Sequence, residues 1–104
     1  MDYNVIWSPS ARLDLKEVVV YIAKDNPEVA ERFGYSMIKA SKSLSSFPQK
    51  GRCIPEFKDC PFREIIFSPY RIIYRISGTG IVEIVRVWHS ARGKPQINQS
   101  QQGG

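Results

Sequence analysis

The sequence predicts an α+β domain of order β-α-α-β-β-β, with a helical hairpin packed on one face of a small, twisted, mostly antiparallel sheet. Two observations carry this. Between residues 11 and 47 apolar residues recur every three or four positions, the repeat of a helix, whereas from residue 63 onward they follow the two-residue alternation of strands. Prolines and glycines stand at the joints, and only one or two residues separate the two helical stretches.

Taken in order, YNVIW (3 to 7) is a short β-favouring run that stops at Ser8-Pro9, a serine cap followed by a proline suited to the first helical position. Ala11, Leu15, Val18 and Ile22 then draw one apolar stripe along a helix ending near Asp25. Asn26-Pro27 repeats the cap-plus-proline start, and Ala30, Phe33, Met37, Ala40, Leu44 and Phe47 form the second stripe, closed by Pro48. So short a link folds the helices back as a hairpin.

Residues 48 to 62 hold three prolines, a glycine and both cysteines, and read as an irregular connection with one short extended piece around Ile54 to Phe57. REIIF (63 to 67), YRIIYRI (70 to 76) and IVEIVRVW (81 to 88) are strands, joined at Ser68-Pro69 and at Ser77-Gly78-Thr79-Gly80 as an antiparallel meander. The domain is expected over residues 1 to 92. The polar remainder, 93 to 104, is expected to be a flexible tail.

The 104 residues suit one domain with one core. A formal charge of +5 favours an anionic partner, either nucleic acid or an acidic protein segment. MDYNVIWSPS lacks the regions of a signal peptide, and no apolar run approaches the roughly 18 residues that span a bilayer, so a cytoplasmic protein is expected. Cys53 and Cys60 are too far apart for a CxxC motif and have no further cysteine to complete a zinc site, so no metal is expected. Two free thiols are the expected state, with a disulfide as the alternative. Phosphate loops, nucleophile elbows and metal-ligand clusters are absent from the sequence.

Alternation sorts the strand faces. Tyr70, Ile72, Tyr74 and Ile76 suit the helices, leaving Arg71, Ile73 and Arg75 on an open face. In 81 to 88 the division is less clean: if Val85 and Val87 go to the core, Arg86 and Trp88 join Arg71 and Arg75, and the strand end carries His89 and Arg92 to the rim. That basic, aromatic-walled groove suits single-stranded RNA or an acidic peptide. The plainer alternatives are a solvated arginine face, a core tryptophan, and a histidine that ends a strand with a satisfied hydrogen bond. Asp14 and Glu17, one helical turn apart, suit surface pairs better than an acid-base dyad.

SPSARLDLKEVVVYIAKDNPEVAERF, LSSFPQKGR, FREIIFSPYRIIYRI and VEIVRVWHSAR, together with the leading strand, resemble the RelE/ParE superfamily of type II toxin-antitoxin toxins over residues 3 to 92. The resemblance implies growth arrest, plasmid stabilisation, no cofactor, a cognate antitoxin, and a homodimer or toxin-antitoxin hetero-oligomer. ParE-like members poison DNA gyrase. RelE-like members cut messenger RNA on the ribosome with lysines, arginines and a terminal tyrosine or histidine. Arg71 and Arg92 match two of those arginines, and Arg63 and His89 complete the set a nuclease would use here. The paired lysines, however, fall on Phe62 and Glu64, and the tyrosine falls on Asn98. A glutamate beside a scissile phosphate opposes the required charge stabilisation. The resemblance therefore implies a ParE-like gyrase inhibitor, with an altered RelE-like endonuclease as the alternative. Arg71, Arg75, Arg86 and Trp88 are the expected antitoxin- or target-binding residues.

Overall fold

Ser8 shows how the chain begins to fold. Its hydroxyl oxygen accepts the Ala11 N–H at 3.0 Å, capping a helix, and donates to the Val85 carbonyl at 3.1 Å, tying that helix to a distant strand. The computed structural model describes residues 2–97. Strand β1 (Asn4–Trp7) leads into helices α1 (Pro9–Ala23) and α2 (Pro27–Lys42), then β2 (Arg52–Cys53), β3 (Arg63–Phe67), β4 (Tyr70–Ser77) and β5 (Ile81–His89). The sheet order is β1-β5-β4-β3-β2, with β1 parallel to β5 and every other pair antiparallel. Among the described residues no helix is long and apolar enough to cross a membrane.

The helical hairpin covers one face. Ala11, Met37 and Leu44 meet Ile72, Tyr74, Val82, Ile84 and Val87 in one buried cluster, to which Leu15, Phe33, Tyr70 and Ile76 add partly covered side chains. The two helices approach closely at Gly34, where a Cβ would lie 3.2 Å from Val19 Cγ2. Burying aliphatic and aromatic surface on this scale is the main force holding the layers together.

Four expectations are corrected. Helix α2 ends at Lys42 and tightens into a 3-10 turn at Ser43–Ser45, whose shorter repeat rotates the stripe, so Phe47 is 66% exposed. The extended piece of the connection is Arg52–Cys53, not Ile54 to Phe57, because Arg52 and Cys53 pair with Glu64 and Arg63. Cys53 and Cys60 form a disulfide instead of two free thiols: Asp59 and Cys60, at φ 66° and 52°, turn the loop back and bring the two Cα atoms within 5.1 Å. The tail is docked over its described part, with Pro95 buried and Ile97 packed on the sheet, while residues 98 to 104 lie outside the described residues.

The uneven alternation of β5 has a local cause. Ile73 pairs with Arg86 and Tyr74 with Ile84, so Val85 is an extra residue with no partner of its own. This β-bulge lets side chains on both sides of it change phase. Val82, Ile84 and Val87 face the helices, whereas Val85 and Trp88 join Ile73 on the other side.

Candidate functional site

The face opposite the helices is covered by the chain itself, which corrects the expectation of an open face. Ile54 and Phe62, from the connection between β2 and β3, pack with Ile73, Val85 and Trp88 into a second buried cluster, edged by Phe57 and Ile97. Phe57 and Phe62 meet edge to face, with ring centroids 5.3 Å apart. Residues 54–62 therefore form a lid on the sheet.

Beneath the lid lies a chain of charges. Arg71 is 8% exposed and donates from Nη1 and Nη2 to the two carboxylate oxygens of Glu56 at 2.9 and 2.8 Å. Its Nε donates to Glu64, whose other oxygen accepts Arg52 Nε at 2.6 Å. Glu64 is fully buried at its side chain, so these two guanidiniums are what keep its charge tolerable there. Hydrogen bonding to Arg71 lowers the Glu56 pKa, against a smaller opposing effect of burial. The same Glu56 contact raises the pKa of Arg71, so the guanidinium stays charged.

Beside the lid is a cleft of about 760 Å³ whose walls include Arg75, Arg86, Lys94, Phe57, Val85 and Ile97. Its cations are largely opposed. Arg75 Nε donates to Glu83 at 2.8 Å across the β4–β5 pair. Arg86 grips both oxygens of Asp14 at 2.8 and 2.9 Å and also donates to the Gln96 carbonyl at 2.7 Å. Asp14 accepts the Val87 N–H as well, at 2.9 Å, and is buried instead of forming the surface pairs expected of it. The Asp14 contact raises the pKa of Arg86. Lys94 Nζ lies 5.2 Å from the Phe57 ring centroid, a cation over an aromatic face.

The candidate residues divide between two faces. Arg71, Arg75, Arg86 and Trp88 share the lidded face. Trp88 is 2% exposed, with the Arg86 and Arg92 guanidinium carbons 4.9 and 3.9 Å from its ring centroid and Nε1 donating to the Gly93 carbonyl. With the lid and tail in place it offers no free stacking surface. His89 pairs across the sheet with Tyr70 and meets its ring edge on at 5.1 Å, on the helix side. Its Nδ1 accepts the Ala91 N–H at 3.0 Å, capping the 3-10 turn at Ser90–Arg92. Arg63 lies opposite Tyr74, also on the helix side, and donates to the Gly51 carbonyl at 2.8 Å. Arg63 and His89 are thus separated by the sheet from Arg71, and the four do not converge.

Sequence reasoning missed Glu56 and Glu83 as partners of Arg71 and Arg75, and placed Asp14, the partner of Arg86, in surface pairs. Glu56 lies in a connection whose Ile54, Phe57 and Phe62 are more apolar than a solvated loop requires, a signal that this segment covers something. Glu83 stands among the apolar residues of β5, directly opposite Arg75.

This architecture has known counterparts. Residues 5–93 match the family model described as the ParE toxin of the type II toxin-antitoxin system, parDE. The chain is 32% identical over 89 residues to "Toxin RelE2" of Caulobacter vibrioides, covering 86% of this chain and 97% of that protein. It is 34% identical over 96 residues to "Putative toxin Y4kP" of Sinorhizobium fredii, covering 90% and 95%. In fold it resembles a chain of the chromosomal ParDE toxin-antitoxin system of P. aeruginosa, with a TM-score of 0.70 at 20% identity, over 84% of this chain and 95% of that one. It also resembles a chain of the RelBE2 toxin-antitoxin complex of Mycobacterium tuberculosis, with a TM-score of 0.60 at 24% identity, over 86% and 92%. With the predicted order of elements present and the family model matching nearly the whole domain, the chain belongs to the ParE toxin family of type II toxin-antitoxin systems, within the RelE/ParE superfamily.

Proposed function

We propose that this chain is a non-enzymatic poison of DNA gyrase, acting in the cytoplasm and silenced by a cognate antitoxin. The observation that carries this reading is the placement of Arg71 between Glu56 and Glu64. Cutting RNA requires net positive charge around a phosphate that gains negative charge in the transition state. Here the arginine aligned with a catalytic one is opposed by two carboxylates, and the positions aligned with the lysines hold Phe62 and Glu64. A surface of balanced ion pairs around an apolar floor suits protein recognition better than phosphoryl chemistry.

The antitoxin reading rests on the same face. The structural neighbours from P. aeruginosa and M. tuberculosis come from toxin-antitoxin systems, and an acidic antitoxin segment would meet the cleft cations Arg75, Arg86 and Lys94, with Arg71 and Trp88 forming the layer beneath. A complex of toxin and antitoxin is the expected silent form.

A second reading, a ribosome-dependent endonuclease using Arg63, Arg71, Arg92 and His89, is favoured by one observation, the name RelE borne by two Caulobacter relatives at 32% identity. Induced expression without antitoxin separates the two. Broken chromosomal DNA with intact messages supports the gyrase reading, and messages cut within codons while the chromosome stays whole support the nuclease.

A further inference from the structure

We propose that the Cys53–Cys60 disulfide is a reversible latch on the lid, so that reduction by a dithiol loosens residues 54–62 and uncovers the sheet face holding Arg71 and Trp88. The disulfide joins the two ends of the segment that carries Glu56 and Phe57. Apart from that bond, the lid's first end is held by the two-residue strand β2 and by one hydrogen bond, from Ile54 N–H to the Phe62 carbonyl at 3.1 Å. Its other attachments include the burial of Ile54 and Phe62, the packing of Phe57 at the edge of that cluster beneath Lys94, and the grip of Glu56 on Arg71.

The backbone explains why the covalent bond matters. Asp59 and Cys60 both adopt left-handed conformations, at φ 66° and 52°, which residues with a Cβ disfavour. With the bond intact the loop keeps this turn. Once the bond is cut, both residues can relax toward ordinary backbone conformations, and the loop regains the freedom that closure removed.

The bond is also placed to react. Cys53 is exposed and Cys60 half-buried, so a thiolate can approach from solvent. One thiolate of the dithiol attacks Cys53 Sγ, forming a mixed disulfide and expelling the Cys60 thiolate, which takes up a proton. The second thiol of the reductant then displaces Cys53, leaving two protein thiols and an oxidised, cyclic reductant. Two electrons and two protons pass to the protein, and the reverse exchange restores the latch.

Lid opening would remove Glu56 from Arg71 and Phe57 from the cleft wall, changing both the charge and the shape that a partner meets. The latch does not depend on which target the toxin takes. Its test uses the full chain, oxidised and then treated with dithiothreitol, under limited trypsin. Lys58 is exposed at the lid's tip, and cleavage after it is expected to rise about tenfold or more on reduction, following the population of open lid. In a Trp7→Phe background, acrylamide quenching of Trp88 should rise in parallel. A Cys53→Ser, Cys60→Ser double variant should behave as the reduced form with or without dithiothreitol. If that variant does not fold, reduced wild-type protein still gives the comparison. Equal cleavage and quenching in the oxidised and reduced forms would overturn the proposal, as would a chain that mass analysis shows to form no intramolecular disulfide under a mild disulfide oxidant.

Discussion

Glu56 and Arg71 meet through two parallel hydrogen bonds of 2.9 and 2.8 Å, and this fork fastens the lid to β4. It also removes Arg71 from the pool of cations that an incoming phosphate could use. The fork is therefore a structural clasp that pairs the Arg71 guanidinium with a carboxylate on the sheet face.

The clasp should respond to acid. Arg71 holds the Glu56 pKa below its ordinary 4.5, so the pair's contribution is fully present above about that pH and is lost as pH falls through the lowered value. At neutral pH Glu56→Gln should cost about 1 kcal/mol. The gap in thermal midpoint between wild type and variant should hold at mildly acidic pH and close in stronger acid. A gap that widened on acidification would contradict the assignment.

Asp14 should behave as a buried anchor between α1 and β5. Asp14→Ala removes both of the Arg86 contacts and the acceptor for Val87 N–H, and should lower stability by about 3 kcal/mol in urea unfolding. Glu17→Ala, one turn along on the same helix, should stay within about 0.5 kcal/mol of wild type.

Gly51 is needed for its lack of a side chain. A Cβ there would lie 2.7 Å from the Tyr74 hydroxyl oxygen, which accepts the Gly51 N–H and donates to the Pro48 carbonyl. Gly51→Ala should therefore destabilise the chain by about 1 to 3 kcal/mol through overpacking, measured by denaturant unfolding.

Arg71 and Arg75 should separate fold from recognition. Arg71→Ala strips the buried Glu64 of one of its two cations and should cost about 3 to 5 kcal/mol, so any loss of toxicity must be read beside its unfolding curve. Arg75 belongs to a partly exposed pair with Glu83, and Arg75→Glu should keep the fold. In a titration it should weaken binding of an acidic antitoxin by about tenfold or more. Unchanged affinity would remove Arg75 from the interface.

The order of elements was legible because helical and strand periods alternate cleanly along the chain, and the capping pairs Ser8-Pro9 and Asn26-Pro27 mark both helix starts. The faces of β4 were legible for the same reason. Those of β5 were not, since one inserted residue, Val85, changes the phase midway and no local residue type announces it. Closure of the loop at Cys53 and Cys60 depends on two left-handed residues that are not glycine, which composition does not reveal. The arginines were visible as candidates, but their charge state as a group was not. Glu56 and Asp14 lie 15 and 72 positions from the arginines they oppose, a pairing that only the folded chain brings about.

The central claim is tested most directly with purified chain in a gyrase supercoiling reaction, run beside a ribosome-dependent cell-free translation reaction containing a labelled message. A gyrase poison should accumulate cleaved gyrase–DNA complexes and leave the message whole, with added antitoxin reversing the effect. Normal supercoiling together with a message cut in the presence of ribosomes would contradict the account and return Arg71, Arg92 and His89 to a catalytic role.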